Sequence, residues 1–201
     1  MLKSKSIICV ILVILGFSTL IMSCGSSSNS SVTASNSSTT TSAKANANEN
    51  LSISVSSPTV NPGDTFTVNV LVNTTVPSLG AQCALSFDAS AMQCTGVTEG
   101  NFYRDWAASK NLTTVMMPTQ PAIDNVNGTV EGIGVTIMGN QGNNLSGAQG
   151  QGVLFSYQMT ANSGVNKTAS FGLSDILITD KNADPIESAT AGTGTITIGT
   201  P

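Results

Sequence analysis

Asp180-Lys181-Asn182-Ala183-Asp184 spaces three oxygen-bearing side chains two residues apart, the spacing that opens a calcium-binding loop. The pattern stops there. Pro185 stands where such a loop needs a sharp-turn glycine, and Ala191 where it needs a bidentate glutamate. The segment is expected to be a turn between strands, with no metal and no cofactor. Asp88, Glu99, Asp105, Asp124 and Glu131 could supply the acid and base of glycoside hydrolysis by residue type alone, but none sits in a catalytic motif. The chain has no histidine. That removes His-based triads, His general bases and His metal sites together. The expectation is a binding protein and not an enzyme.

Two further groups carry chemistry. Cys83 and Cys94 fall on core-facing positions of consecutive strands. A hairpin turning at Asp88-Ala89 would set them opposite each other. They are then either a bridge adding about 2–3 kcal/mol or two buried thiols acting as small apolar residues. Strands in different sheets would forbid the bridge. Phe102, Tyr103 and Trp106 cluster around Arg104 and Asp105 in what reads as a loop, with at most a helical turn. The loop could plug one end of a domain. Alternatively, Tyr103 and Trp106 could anchor a protein contact or stack on a sugar ring.

The elements that must position these groups are strands. In Thr65 to Val72, Phe66, Val68, Val70 and Val72 share one face, and the other is mostly polar. This is the period of two that marks a half-buried strand. Ile53 and Val55 alternate in a preceding strand, and Asn61-Pro62-Gly63-Asp64 is a turn signal between the two. Further strands are expected at Gly80–Phe87, Met92–Val97, Leu112–Met117, Thr129–Ile137, Val153–Thr160, Ala169–Leu173, Ile176–Thr179 and Gly194–Ile198. Many short strands with Gly, Pro and Asn turns point to an all-β sandwich.

The N-terminus is of another kind. Lys3 and Lys5 precede an apolar run from Ile7 to Phe17, and Ser23-Cys24 follows. That is the layout of a secretory signal. Leu20-Ile21-Met22-Ser23-Cys24 resembles the lipobox of bacterial lipoproteins. The resemblance implies cleavage of residues 1–23 and a diacylglycerol on the Cys24 thiol. The mature protein would then be extracytoplasmic, held at the cell envelope through its lipid anchor. Residues 24–50 are almost wholly Ser, Thr, Asn, Ala and Gly after the cysteine, too polar to offset the entropy of ordering. They read as a tether of root-mean-square span about 30 Å. Residues 51–201 make one domain of ordinary size. Loss of Lys3 and Lys5 leaves five basic against eleven acidic residues, a net of −6. An acidic surface argues against nucleic acid and against electrostatic docking on anionic lipid.

The order of turns and strands resembles the cohesin family. The residues that carry this are Val60-Asn61-Pro62-Gly63-Asp64-Thr65-Phe66, Gly80-Ala81-Gln82-Cys83-Ala84-Leu85-Ser86-Phe87-Asp88, Val97-Thr98-Glu99-Gly100-Asn101-Phe102, Gly152-Val153-Leu154-Phe155, and Thr179-Asp180 through Pro185-Ile186 with Gly194 to Ile198. The resemblance spans essentially all of 51–201. It implies a β-sandwich with jelly-roll topology and about nine strands. It also implies a protein partner, a dockerin, which is a small calcium-loaded helical module, bound on the outer side of one sheet. Gln82, Ala84 and Ser86 with Ser156 and Gln158 are the outward residues expected there, as a binding face or as a plain solvated one. Gln82 stands where family members often carry an acidic residue. Polysaccharide binding, or a structural or adhesive role in the envelope, are the alternatives.

Overall fold

The computed structural model describes residues 50–139, 146–186 and 190–199. The expected signal at 1–23, Cys24 and the tether up to residue 49 lie outside them. Eleven strands and one helix follow in the order β1 (Asn50–Val55), β2 (Thr59–Val60), β3 (Thr65–Phe87), β4 (Met92–Glu99), α1 (Phe102–Ser109), β5 (Thr113–Met117), β6 (Ile123–Asp124), β7 (Thr129–Met138), β8 (Ala148–Ala161), β9 (Lys167–Asp180), β10 (Thr190–Ala191) and β11 (Thr193–Ile198). Among the described residues, no helix is long and apolar enough to cross a membrane.

The strands form the expected all-β sandwich, and β3 belongs to both layers. Over residues 65–74 it lies between β1 and β8, with Val70 opposite both Ile53 and Phe155. Over residues 78–87 it lies between β7 and β9, with Gln82 opposite both Gly134 and Leu177. One layer is therefore β4-β8-β3-β1, with β10 on the far edge of β1. The other is β5-β7-β3-β9-β11, extended by β2.

The sequence shows how one strand serves two layers. Phe66, Val68, Val70 and Val72 are buried, all at even positions; further on the buried residues are Ala81, Cys83, Leu85 and Phe87, all at odd positions. A side-chain period of two makes a one-residue phase slip turn the strand's apolar face over. The slip falls between Thr74 and Ser78, where pairing to β8 loses register. Pro77, which has no N–H to give a ladder, sits at this crossing. The two halves thus face each other across one core. Phe66 of the first layer meets Phe171 of the second edge-on, with ring centroids 6.5 Å apart.

Two expected pairs of separate strands are single elements. Thr65–Val72 and Gly80–Phe87 are both β3, and Ala169–Leu173 and Ile176–Thr179 are both β9. In β9 the chain continues through Asp175 at φ 51°, where pairing with β3 shifts between Gln82 and Ala84. The aromatic segment at 102–109 is a two-turn helix and not a loop. Phe102, Tyr103 and Ala107 are its buried residues, and Trp106 packs against the core beside them.

Candidate functional site

The five outward residues do not share a face. Gln82, Ala84 and Ser86 lie on the part of β3 that pairs with β7 and β9. Ser156 and Gln158 lie on β8, which pairs with the earlier part of β3 at Asn69 and Thr67 and with β4 at Thr98 and Gly96. Because β3 changes layer between the two sets, they sit on opposite outer surfaces of the sandwich. Ser156 donates its hydroxyl to Asn69 Oδ1 at 2.7 Å, and the Gln158 amide donates to Thr67 Oγ1 at 3.1 Å. Both are occupied in cross-strand contacts on a polar surface.

Gln82 has different neighbours. The row Met117–Gly134–Gln82–Leu177 crosses β5, β7, β3 and β9 in register, and the row Val115–Thr136–Gly80–Thr179 runs beside it. Glycines at 80 and 134 lower the centre of this face into a depression of about 290 Å³, bordered by Gln82, Thr136, Leu177 and Thr179. A Cβ on Gly134 would meet Gln82 Cβ at 3.4 Å, so the position has room to project a side chain outward. Toward β5 the face becomes apolar. Met117 is 63% exposed, Met138 49% and Val115 37%. Among the described residues these are three of the four exposed large hydrophobic side chains, and Val126 is the fourth.

Sequence reasoning missed β5 and β7 as contributors. The signal was present in Thr113-Thr114-Val115-Met116-Met117, which has no polar face at its apolar end. A half-buried strand on a plain solvated surface alternates, whereas this one is apolar on the side facing out.

A model of the cohesin domain matches residues 51–198. The chain belongs to the cohesin family. Its fold is similar to a cohesin module from a family 33 glycoside hydrolase of Clostridium perfringens, at 15% identity and a TM-score of 0.55, covering 76% of this chain and 98% of that one. It is also similar to CaCohA2 of Clostridium acetobutylicum, at 20% identity and a TM-score of 0.51, covering 76% and 92%. The sixth cohesin of scaffoldin B from Acetivibrio cellulolyticus, solved in complex with a Cel5 dockerin variant, matches at 16% identity and a TM-score of 0.50, covering 76% and 99%. No curated protein matches the chain.

The remaining chemical groups of this cohesin domain are structural. Cys83 and Cys94 are both buried and both free thiols. The hairpin that would oppose them does not form: Cys83 is opposite Ile133 of β7, and Cys94 is opposite Met159 of β8. Burial pushes the Cys83 thiol up to about 12, partly offset by contact with the Tyr157 hydroxyl. Burial likewise raises Cys94, and burial followed by the neighbouring Cys83 raises Tyr157. In all three the neutral form is the one the fold accommodates. The stabilisation is therefore complete below the unfolded thiol value near 9 and is lost as pH rises toward 12. We expect both thiols to resist iodoacetamide at pH 8 until urea unfolds the domain, as intact mass will show. We also expect the urea midpoint to fall above pH 9, less steeply in Cys83→Ala.

Tyr103 is 1% exposed and donates to or accepts from Ser78 Oγ at 2.7 Å. It fastens α1 to the crossing of β3 and has no surface to offer a partner, contrary to the expectation from its type. Trp106 keeps part of its surface. The 180–184 segment is the expected turn between strands: Asp180 Oδ1 accepts the backbone N–H groups of Asn182 and Asp184 at 2.8 and 3.0 Å. Among the described residues no cluster of three or more His, Cys, Asp or Glu side chains could hold a metal ion. Asp88 is held below the usual carboxylate range by Lys167, at 2.6 Å, and by Ser90. This contribution to stability is present above pH 4 and fades as acid protonates the carboxyl.

Proposed function

We propose that this cohesin domain docks a dockerin-type protein module on the outer face of β5, β7, β3 and β9. The observation that carries the reading is the clustering of Val115, Met117 and Met138 beside the Gly80–Gly134 depression. Interface cores are rich in Met and poor in charge, and this face combines such a patch with polar Gln82, Ser86 and Thr136. A cohesin of similar fold is solved with a dockerin bound, which supports the class of partner. The role is binding, with no catalytic step. The full chain, immobilised, is expected to retain a calcium-loaded dockerin module. Ser156→Arg should retain it equally, because Ser156 lies on the opposite layer. Loss of retention in Ser156→Arg with a normal melting temperature would refute the assignment of the face.

We also propose that the domain is presented at the cell envelope on an acylated Cys24. The support is the lysine-led apolar run, the Ser23-Cys24 junction and the Ser/Thr/Asn-rich stretch after it. One fatty chain binds a membrane marginally, whereas two give stable anchoring. A diacylated Cys24 would thus hold the receptor in place while its tether lets it sample partners. Cells fed an alkyne fatty acid are expected to label the wild-type protein and not Cys24→Ala. Equal labelling of the two would exclude the anchor.

A further inference from the structure

The opposite layer carries a second concave surface. Asn50, Asn73 and Gln151 form one cross-strand row over β1, β3 and β8: Asn50 is opposite Asn73, and Asn73 opposite Gln151. Ser52, Leu71 and Val153 form the next row. These two rows floor a cavity of about 390 Å³, within the range of small-ligand sites. Its wall is the start of α1. Gly100 donates its N–H to Leu154 O at 2.8 Å, and Val153 donates its N–H to Asn101 Oδ1 at 3.0 Å. Gly152 lies so close to α1 that a Cβ there would meet Phe102 Cβ at 3.0 Å. The cavity continues past Asn101 and Gln151 into a second depression bordered by Trp106 and Asp105.

We propose that this groove is a binding site for a neutral oligosaccharide. Each amide side chain presents a donor and an acceptor together, which is what a sugar hydroxyl, itself donor and acceptor, requires. Cross-strand neighbours on one face stand about 5 Å apart, so the row offers three such groups in succession. Trp106 stands five residues beyond Asn101 and borders the far end with a half-buried ring, against whose open part a sugar face can lie. Asp105, which Arg104 pairs at 3.2 Å, is the one charged residue among those lining the two depressions, and none of them offers a cation to an anionic polymer. A peptide strand cannot add to β3 here, because β3 is paired on both sides along this stretch. The site lies on the other layer from the docking face, so one domain could hold a glycan and a protein at once.

The test is affinity electrophoresis of the full chain through gels containing xyloglucan, galactomannan or soluble starch, with polygalacturonate as the charged control. Retardation is expected in at least one neutral polymer. The double variant Asn73→Ala/Gln151→Ala should weaken it about tenfold, the loss of two ordinary hydrogen bonds, with an unchanged melting temperature. Gly134→Arg, on the opposite face, should leave it intact. No retardation in any neutral polymer, retardation in polygalacturonate alone, full retardation of the double variant, or its abolition by Gly134→Arg would each overturn the proposal.

Discussion

Gly134→Arg in the full chain is expected to weaken capture of a dockerin module by about a hundredfold, the scale of an effect at the centre of an interface. Gly134 is the middle of the row from Met117 to Leu177. Its backbone is not in the left-handed region, and an added Cβ meets its nearest neighbour at ordinary contact distance. The substitution is therefore compatible with the strand. It places a long cation over the depression bordered by Gln82 and Thr136. A partner would have to desolvate that charge and make room for the side chain, which is costly. Calorimetric titration reads the affinity, and thermal unfolding confirms that the fold is retained. Unchanged affinity would show that the partner binds elsewhere.

Phe155→Ala is expected to have the largest effect on stability, about 3–5 kcal/mol. Phe155 is 0% exposed. It stands opposite Val70 on β3 and Glu99 on β4, and its ring meets Tyr157 edge-on with centroids 6.5 Å apart. Truncation removes its apolar contacts and leaves a cavity that the paired strands on both sides of β8 cannot close. Melting should fall by about 10–15 °C for a domain of this size, and urea unfolding gives the free energy directly. A loss below about 1 kcal/mol would mean the core relaxes around the gap, outside the range for such truncations.

The alternation in β3, β7 and β8 made the sandwich legible, because each strand has one face in the core and one in solvent. What the alternation does not encode is which layer a strand enters. Thr65–Val72 and Gly80–Phe87 read as two strands, and in the fold the stretch between them is the place where β3 exchanges β1 and β8 for β7 and β9. Two expectations are decided by this change of layer. Ser156 and Gln158 lie on the other layer from Gln82, and Cys83 has Ile133 opposite it while Cys94 has Met159. The helix α1 was nearly legible: Phe102, Tyr103, Trp106 and Ala107 recur at helical spacing. Eight residues are too few for that spacing to separate a helix from a loop, and helices this short form through tertiary packing. Here the packing is the Tyr103–Ser78 contact and the fit of Phe102 against Gly152. Half of the proposed docking face was legible through Gln82, Ala84 and Ser86. The other half depends on the long-range pairing of β5 with β7, which no local pattern announces.

The two faces differ in chemistry. The layer ending in β5 offers apolar side chains and a glycine-floored depression suited to another protein. The layer of β1, β3 and β8 offers amides suited to hydroxyl-rich ligands. The acidic composition suits neither nucleic acid nor an anionic membrane surface, so the proposed membrane attachment would rest on the lipid alone.

The proposed protein partner sits on the layer of β5, β7, β3 and β9. Amide chemical-shift mapping by NMR, recorded on the chain with and without a calcium-loaded dockerin module, tests it most directly. The large shift changes are expected in 80–87, 113–117, 129–138 and 172–179. Changes concentrated instead in 65–74 and 151–160 would contradict it.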